Sequence, residues 1–214
     1  MVNLMDIKEA FELLKKYKIP VPRYVIIDNP QDLEGINSLK FPVALKLISK
    51  KIIHKTDEGA VMLNIASPKE LEINLKEMER KFYAIEDRKY LIQEMVKKGV
   101  EVVVGGINDK IFGPVIMFGL GGIMVEIYRD VSFRLAPITK NDAAEMLSEI
   151  KGKKILDGYR TLPPVDKERL IRILVSASML IYENSNIIEM DINPLICRND
   201  DVKAVDIRIV LGDE

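Results

Sequence analysis

A carboxylate–amide string lies near the end of the chain: Glu189-Met190-Asp191-Ile192-Asn193-Pro194, followed by Asp206 and Arg208. Alternation along an extended strand puts Glu189, Asp191 and Asn193 on one face. If the strand after Asp206 lies antiparallel beside this one, Asp206 joins that face. Carboxylates and an amide oxygen meeting at one point are hard oxygen donors, a set that Mg²⁺ accepts and shares with phosphates. The competing reading is a solvent-facing acidic hairpin. Ile187, Ile188, Ile192 and Leu195 around the string favour a buried strand.

Three further places hold polar residues that a plain core does not require. Lys46 stands inside the apolar run 41–48. It is either an edge lysine turned to water or a cation on a rigid strand facing a phosphate, and spacing does not separate the two. The segment 49–61 (SKKIIHKTDEGAV) is polar, basic and glycine-containing, and it carries the single histidine, His54. Basic side chains and free backbone N–H groups suit phosphate. An ordinary solvated loop is the alternative, and a lone histidine usually has no special role. A neutral imidazole is nonetheless a nucleophile near pH 7 and can carry a covalent intermediate. Finally, Gln93-Glu94-Met95-Val96 is followed by Glu101. Acids in apolar strands are costly unless paired or exposed. They are either exposed, or part of a connection that reads adenine through Glu94 and the backbone of Val96, with Glu101 on the ribose.

The elements that must position these residues are legible. Asp6, with Glu9 three residues on, starts a helix whose Ile7, Ala10, Phe11 and Leu14 share a face. Pro20 and Pro22 end it. Strands are expected at 23–27 and 43–48. Ser67-Pro68-Lys69-Glu70 starts a helix with Leu71, Leu75, Met78 and Phe82 inside. The apolar segments 90–96 and 100–105 read as strands joined by a short turn. A strand at 114–118 leads into Gly119-Leu120-Gly121-Gly122. Helices start at Thr139 or Asn141 and at Asp166, and strands at 187–192 and 202–209 close the chain. Strands in groups with helices between them indicate an α+β fold with two sheet-bearing subdomains.

Composition bounds the rest. With 214 residues and 48% hydrophobic, the chain can build a real core. A net charge of -1 gives no electrostatic case for nucleic acid or an anionic membrane. One cysteine, Cys197, excludes an intrachain disulfide and argues against a cysteine zinc site, which fits a reducing cytoplasm. The N-terminus runs into an amphipathic helix rather than a signal peptide. No apolar run reaches the roughly 18 residues of a membrane span. Charged residues at 30%, rich in Lys and Glu, with no Trp, lean toward a thermophile.

Taken together, the motifs are recognisable. Lys46, the string HKTDEGAV, QEMV with its following Glu, FGLGGIMVEIYRDVSFRLAPI, and EMDINPL with a later Asp-Ile-Arg resemble the beta subunit of ADP-forming acetyl-CoA (acyl-CoA) synthetases. That family is related to succinyl-CoA synthetase within the ATP-grasp superfamily. The resemblance spans about residues 13–211, and the order and number of motifs carry it rather than any single one.

The resemblance implies an ATP-grasp fold, with subdomains 1–96 and 97–214 and nucleotide between them. It implies a reversible reaction in which acyl-CoA, ADP and phosphate give acid, CoA and ATP. It also implies a hetero-oligomer with a CoA-binding alpha subunit that has its own phosphorylated histidine. Lys46 then meets nucleotide phosphate, Glu94 and Val96 the adenine, and Glu101 the ribose. Asn193 and Asp206 hold Mg²⁺, Asp191 faces the phosphohistidine or the metal, and Arg134 supplies a phosphate-binding cation. His54 relays phosphate between the alpha subunit and the nucleotide; Asp57, by its closeness in sequence rather than by the resemblance, is a candidate to orient it. One departure is visible: the family usually has two glycines after HKTD, and here they are Gly59 and Ala60. Two rivals stay open: another ATP-grasp carboxylate ligase, which has no need of HKTD, and a non-catalytic nucleotide-binding regulatory subunit. The resemblance names neither the acid nor ATP over GTP.

Overall fold

The computed structural model describes residues 3–52, 58–122 and 127–212. The sequence-derived roles of His54 and Asp57 fall on residues outside these. The chain divides into two compact units, Pro22–Val96 and the combination of Met1–Val21 with Lys97–Glu214.

In the smaller unit, β2 (Tyr24–Ile27), β3 (Val43–Ile48), β4 (Val61–Ile65) and β5 (Lys89–Glu94) form an antiparallel sheet in the order β2-β5-β3-β4. Helix α2 (Pro68–Lys81) starts where the sequence places it. Ser67 accepts a hydrogen bond from the Glu70 N–H, and Pro68 fills the first turn, where its missing N–H costs nothing. Leu71, Leu75 and Met78 turn inward, while Phe82 lies at the helix end, half-buried against the same cluster.

The core covers one face of this sheet. Val43, Leu45, Leu47, Ile65, Tyr90 and Ile92 belong to it, with Ile27 on the outer strand. Strand alternation therefore sends Ala44, Lys46, Leu91 and Gln93 to the opposite face. Leu75 is fully buried in the cluster, and truncating such a leucine to alanine costs about 2–5 kcal/mol.

The larger unit holds β1 (Asn3–Leu4), α1 (Ile7–Lys16), β6 (Val100–Asp109), β7 (Gly113–Leu120), β8 (Val131–Leu135), α3 (Lys140–Glu149), α4 (Lys167–Glu183), β9 (Ile187–Cys197), β10 (Val202–Ala204) and β11 (Arg208–Leu211). Its seven described strands follow the antiparallel order β1-β11-β9-β6-β7-β8, with β10 also beside β9. The sequence reading grouped the opening segment with the first subdomain. The structure places it in the larger unit, because Asn3 and Leu4 pair with Leu211 and Val210 and the Ala204 N–H bonds the Pro20 carbonyl at 2.8 Å.

The segments 90–96 and 100–105 hold strands β5 and β6, which belong to separate sheets. Thr139, not Asn141, starts α3, through a reciprocal capping box with Asp142. The closing strand also breaks in two: β10 and β11 pair with different stretches of β9, and Asp206 stands in the connection between them. Helix α4 packs across β6 and β7, with Leu170, Leu174, Ala177 and Ile181 buried. Among the described residues no helix is long and apolar enough to cross a membrane.

Candidate functional site

Cross-strand register separates the polar residues of the larger sheet into two faces. Phe133, Met117, Gly105, Asp191 and Arg208 are successive partners across β8, β7, β6, β9 and β11. Partners directly opposite share a face, so these five form one row on one side. The adjacent row, Arg134, Ile116, Gly106, Met190 and Ile209, points to the other side, where Ile116, Met190 and Ile209 are buried.

Asp191 is the carboxylate of the first row. Burial, then the neighbouring charges of Glu189 and Asp206, raise its pKa to about 6, against the lowering pull of Arg208 and a hydrogen bond with Asn193. Asp206 is held from its own backbone: Oδ1 accepts the Ile207 N–H at 2.9 Å, and its carbonyl accepts the Asn193 N–H at 3.3 Å. The sequence expectation that Glu189, Asp191, Asn193 and Asp206 lie near one another is thus met in space. Arg208, whose place beside Asp191 only the register reveals, gives Glu189 an ion pair at 3.3 Å. Its buried Nε has no hydrogen-bond partner among the described residues.

Asn193 and Asp206 offer hard oxygen donors, and among the described residues there is no group of three His, Cys, Asp or Glu side chains that could hold a metal ion. Mg²⁺ is commonly held by one or two protein oxygens together with waters and phosphate.

Arg134 is placed elsewhere. On the helix-side row it pairs with Glu149 and, at 3.4 Å, with Glu145 of α3, and it also contacts Ser132. These carboxylates hold the guanidinium even more firmly protonated. The structure does not bring Arg134 to Asp191. The sequence shows that an arginine is present but not which face of β8 carries it.

Glu101 is exposed on β6. The backbone beside it is crowded: Gly121 donates its N–H to the Glu101 carbonyl at 2.8 Å, and a Cβ at Gly121 would lie 3.2 Å from that oxygen. The glycine string therefore lets the chain pass close by Glu101.

In the smaller unit, Lys46 is 6% exposed on the face away from the core. Glu94 takes the core-side parity with Val43, and its carboxylate accepts the Lys40 N–H at 2.9 Å. Val96 is half-buried at the end of the unit. The side chain of the QEMV string that shares the face of Lys46 is Gln93, which sequence reading assigned no role. Gln93 is 2% exposed, and its Nε2 has no hydrogen-bond partner among the described residues. Leaving such a group unpaired costs about 1–3 kcal/mol.

The described ends of the histidine segment are anchored. Asp87 accepts the Ser49 hydroxyl at 2.6 Å and the Lys50 N–H at 2.8 Å. Burial opposes ionisation of Asp87, but these bonds outweigh it and hold the carboxyl below its usual range. At the other end, Lys81 Nζ donates to the carbonyls of Glu58 and Gly59 at 2.9 and 3.2 Å. Gly59 takes φ +66, the left-handed conformation that glycine adopts freely. Ala60, at the family's usual second glycine, is fully buried in the core. Its methyl group is accommodated there.

The whole pattern matches known proteins. A family model described as "ATP-grasp domain" covers residues 2–211. The chain belongs to the ATP-grasp family. Within it, the "Acetate--CoA ligase [ADP-forming] I subunit beta" of Pyrococcus furiosus is 43% identical over 208 residues, covering 95% of this chain and 90% of that one. The acetyl-coenzyme A synthetase 1 of Ca. Korarchaeum cryptofilum, solved with coenzyme A, Ca-AMPCP and HgCl+, superposes with TM-score 0.93 at 37% identity. The overlap covers 98% of this ATP-grasp chain and 94% of that chain. A second structure of that enzyme, with coenzyme A and Mg-AMPPCP, has its phosphohistidine segment pointing towards the nucleotide binding site. It superposes with TM-score 0.84 at 38% identity over 98% of this chain and 93% of that one. The α+β fold with two antiparallel sheets is thus the ATP-grasp fold.

Proposed function

We propose that this chain is the nucleotide-binding beta subunit of an ADP-forming acyl-CoA synthetase and passes a phosphoryl group between a partner subunit and ADP through His54. The observation that carries the reading is the Asp191 cluster. A half-buried Asp191 under the like charges of Glu189 and Asp206 is costly on its own and useful beside a metal–phosphate group. Sequence similarity to subunits of that reaction supports it.

Each residue then has a physical task. Asn193 and Asp206 hold Mg²⁺, which supplies charge neutralisation to the phosphates when bound. Lys46, a buried cation on a rigid strand, binds nucleotide phosphate. The backbone around Glu94 and Val96 receives the adenine, and Glu101 the ribose. In the direction of ATP formation, the N–P bond of phosphorylated His54 breaks as a terminal oxygen of ADP bonds to phosphorus, and the imidazole leaves neutral after taking a proton. Asp191 orients the imidazole or supports the metal. Such transfers depend on positioning and charge more than on covalent chemistry by the protein. Phosphate reaches His54 from a CoA-binding alpha-type subunit, where the acyl chemistry takes place.

The test combines this chain with its CoA-binding partner and follows ATP-dependent acyl-CoA formation and labelling from [γ-³²P]ATP. Acid-labile, base-stable label on His54, lost together with turnover in His54→Ala, is the expected result. Normal turnover by His54→Ala would sink the relay. Nucleotide binding without label or turnover in the complete complex would instead favour a regulatory subunit.

A further inference from the structure

We infer that Gln93 reads the base of the bound nucleotide and makes the site prefer adenine to guanine; this rests on the nucleotide-binding role proposed above. The argument begins with register. Gln93 lies opposite Ala44 on β3 and Tyr24 on β2, and Lys46 lies opposite Leu91, two residues along β5. Gln93 and Lys46 are therefore diagonal neighbours on the sheet face opposite the hydrophobic cluster. Glu94, the acid next to it, is turned to the other face and occupied by the Lys40 backbone.

An amide is out of place in this position unless something meets it. Its face neighbours Ala44 and Leu91 are buried and apolar, and at 2% exposure Gln93 has little access to water. Its Nε2 is one of two buried side-chain nitrogens without a partner among the described residues. A native orphan of this kind points to a group supplied from outside the chain.

The chemistry of the carboxamide selects that group. One edge offers an N–H donor and a C=O acceptor side by side. Adenine presents a matching pair, the N7 acceptor and the N6 amino donor. Guanine presents two acceptors, N7 and O6, so one of its atoms would face the carboxamide oxygen. Lys46, on the same face, accounts for phosphate, which leaves the amide for the base.

The experiment is calorimetric titration of the full chain with ATP and with GTP, comparing wild type, Gln93→Leu and Gln93→Met. Thermal unfolding without nucleotide is measured in parallel. Both variants remove the unpaired amide, so their unfolding midpoints should equal or exceed that of the wild type. ATP affinity should fall about tenfold, one hydrogen-bonded contact's worth, while GTP affinity changes by less than about twofold. Equal losses for ATP and GTP would mean a contact to phosphate or ribose and overturn base reading. Unchanged ATP affinity with a raised midpoint would mean that the orphan is a defect of packing, and would overturn the inference while leaving nucleotide binding intact. A wild-type chain that binds neither nucleotide would overturn the proposed function itself.

Discussion

The two sheets carry opposite kinds of polar face. The smaller one presents donors, Lys46 and Gln93, set among buried apolar neighbours. The larger one presents acceptors, Glu189, Asp191 and Asp206, with Arg208 as the cation beside them. A phosphate can meet the first directly. It approaches the second only with a cation in between, because carboxylates repel it. In the proposed function the metal therefore belongs to the larger sheet and the choice of base to the smaller one.

Substitutions should separate the two. The largest effect is expected for Asp191→Asn: turnover with the partner subunit should fall by about 100-fold or more, while ATP affinity stays within about threefold. Without metal or nucleotide, the same variant should unfold at a higher temperature, because a carboxylate crowded by two others is gone. A lower midpoint would refute the account of the cluster as mutually repelling.

Next comes Lys46→Met. It should weaken ATP binding about 10- to 100-fold by calorimetry, largely independent of Mg²⁺. Asp206→Ala should do the converse, with a loss of about tenfold that is seen only when Mg²⁺ is present. If both variants lose Mg²⁺-dependent binding alike, the division between donor and acceptor faces fails.

Smaller still is Ala60→Gly. It restores the family's second glycine but removes a buried methyl group and loosens the unfolded chain, at a cost of about 1 kcal/mol in chemical denaturation. The smallest effect is expected for Arg134→Gln, which should leave ATP affinity within about twofold, since its carboxylate partners are on α3.

Legibility in the sequence followed the range of the interaction. Helix starts were readable because caps act within three residues, as at Ser67 and Asp166. The clustering of Glu189, Asp191 and Asn193 was readable because alternation is local. Partner choice between strands was not: 90–96 and 100–105 read as strands, but that β5 pairs with β2 and β3 while β6 pairs with β7 and β9 was not legible. Which face each side chain takes was not legible either: only the register with β3 and β7 puts Gln93 on the face of Lys46, Glu94 on the core side, and Arg134 toward the carboxylates of α3.

The pairing of β1 with β11 has a consequence for the newly made chain. The smaller unit is one continuous stretch, Pro22–Val96, whereas the larger sheet seats its opening strand against its final one. Emerging from the ribosome, the smaller unit can complete its core while the rest is still being translated, as domains commonly do. The first strand must wait for the last. A synthesis stalled before Arg208 leaves β1 without its neighbour and Asp191 without the arginine beside it, so a truncated chain should retain the donor face and lack the completed acceptor face.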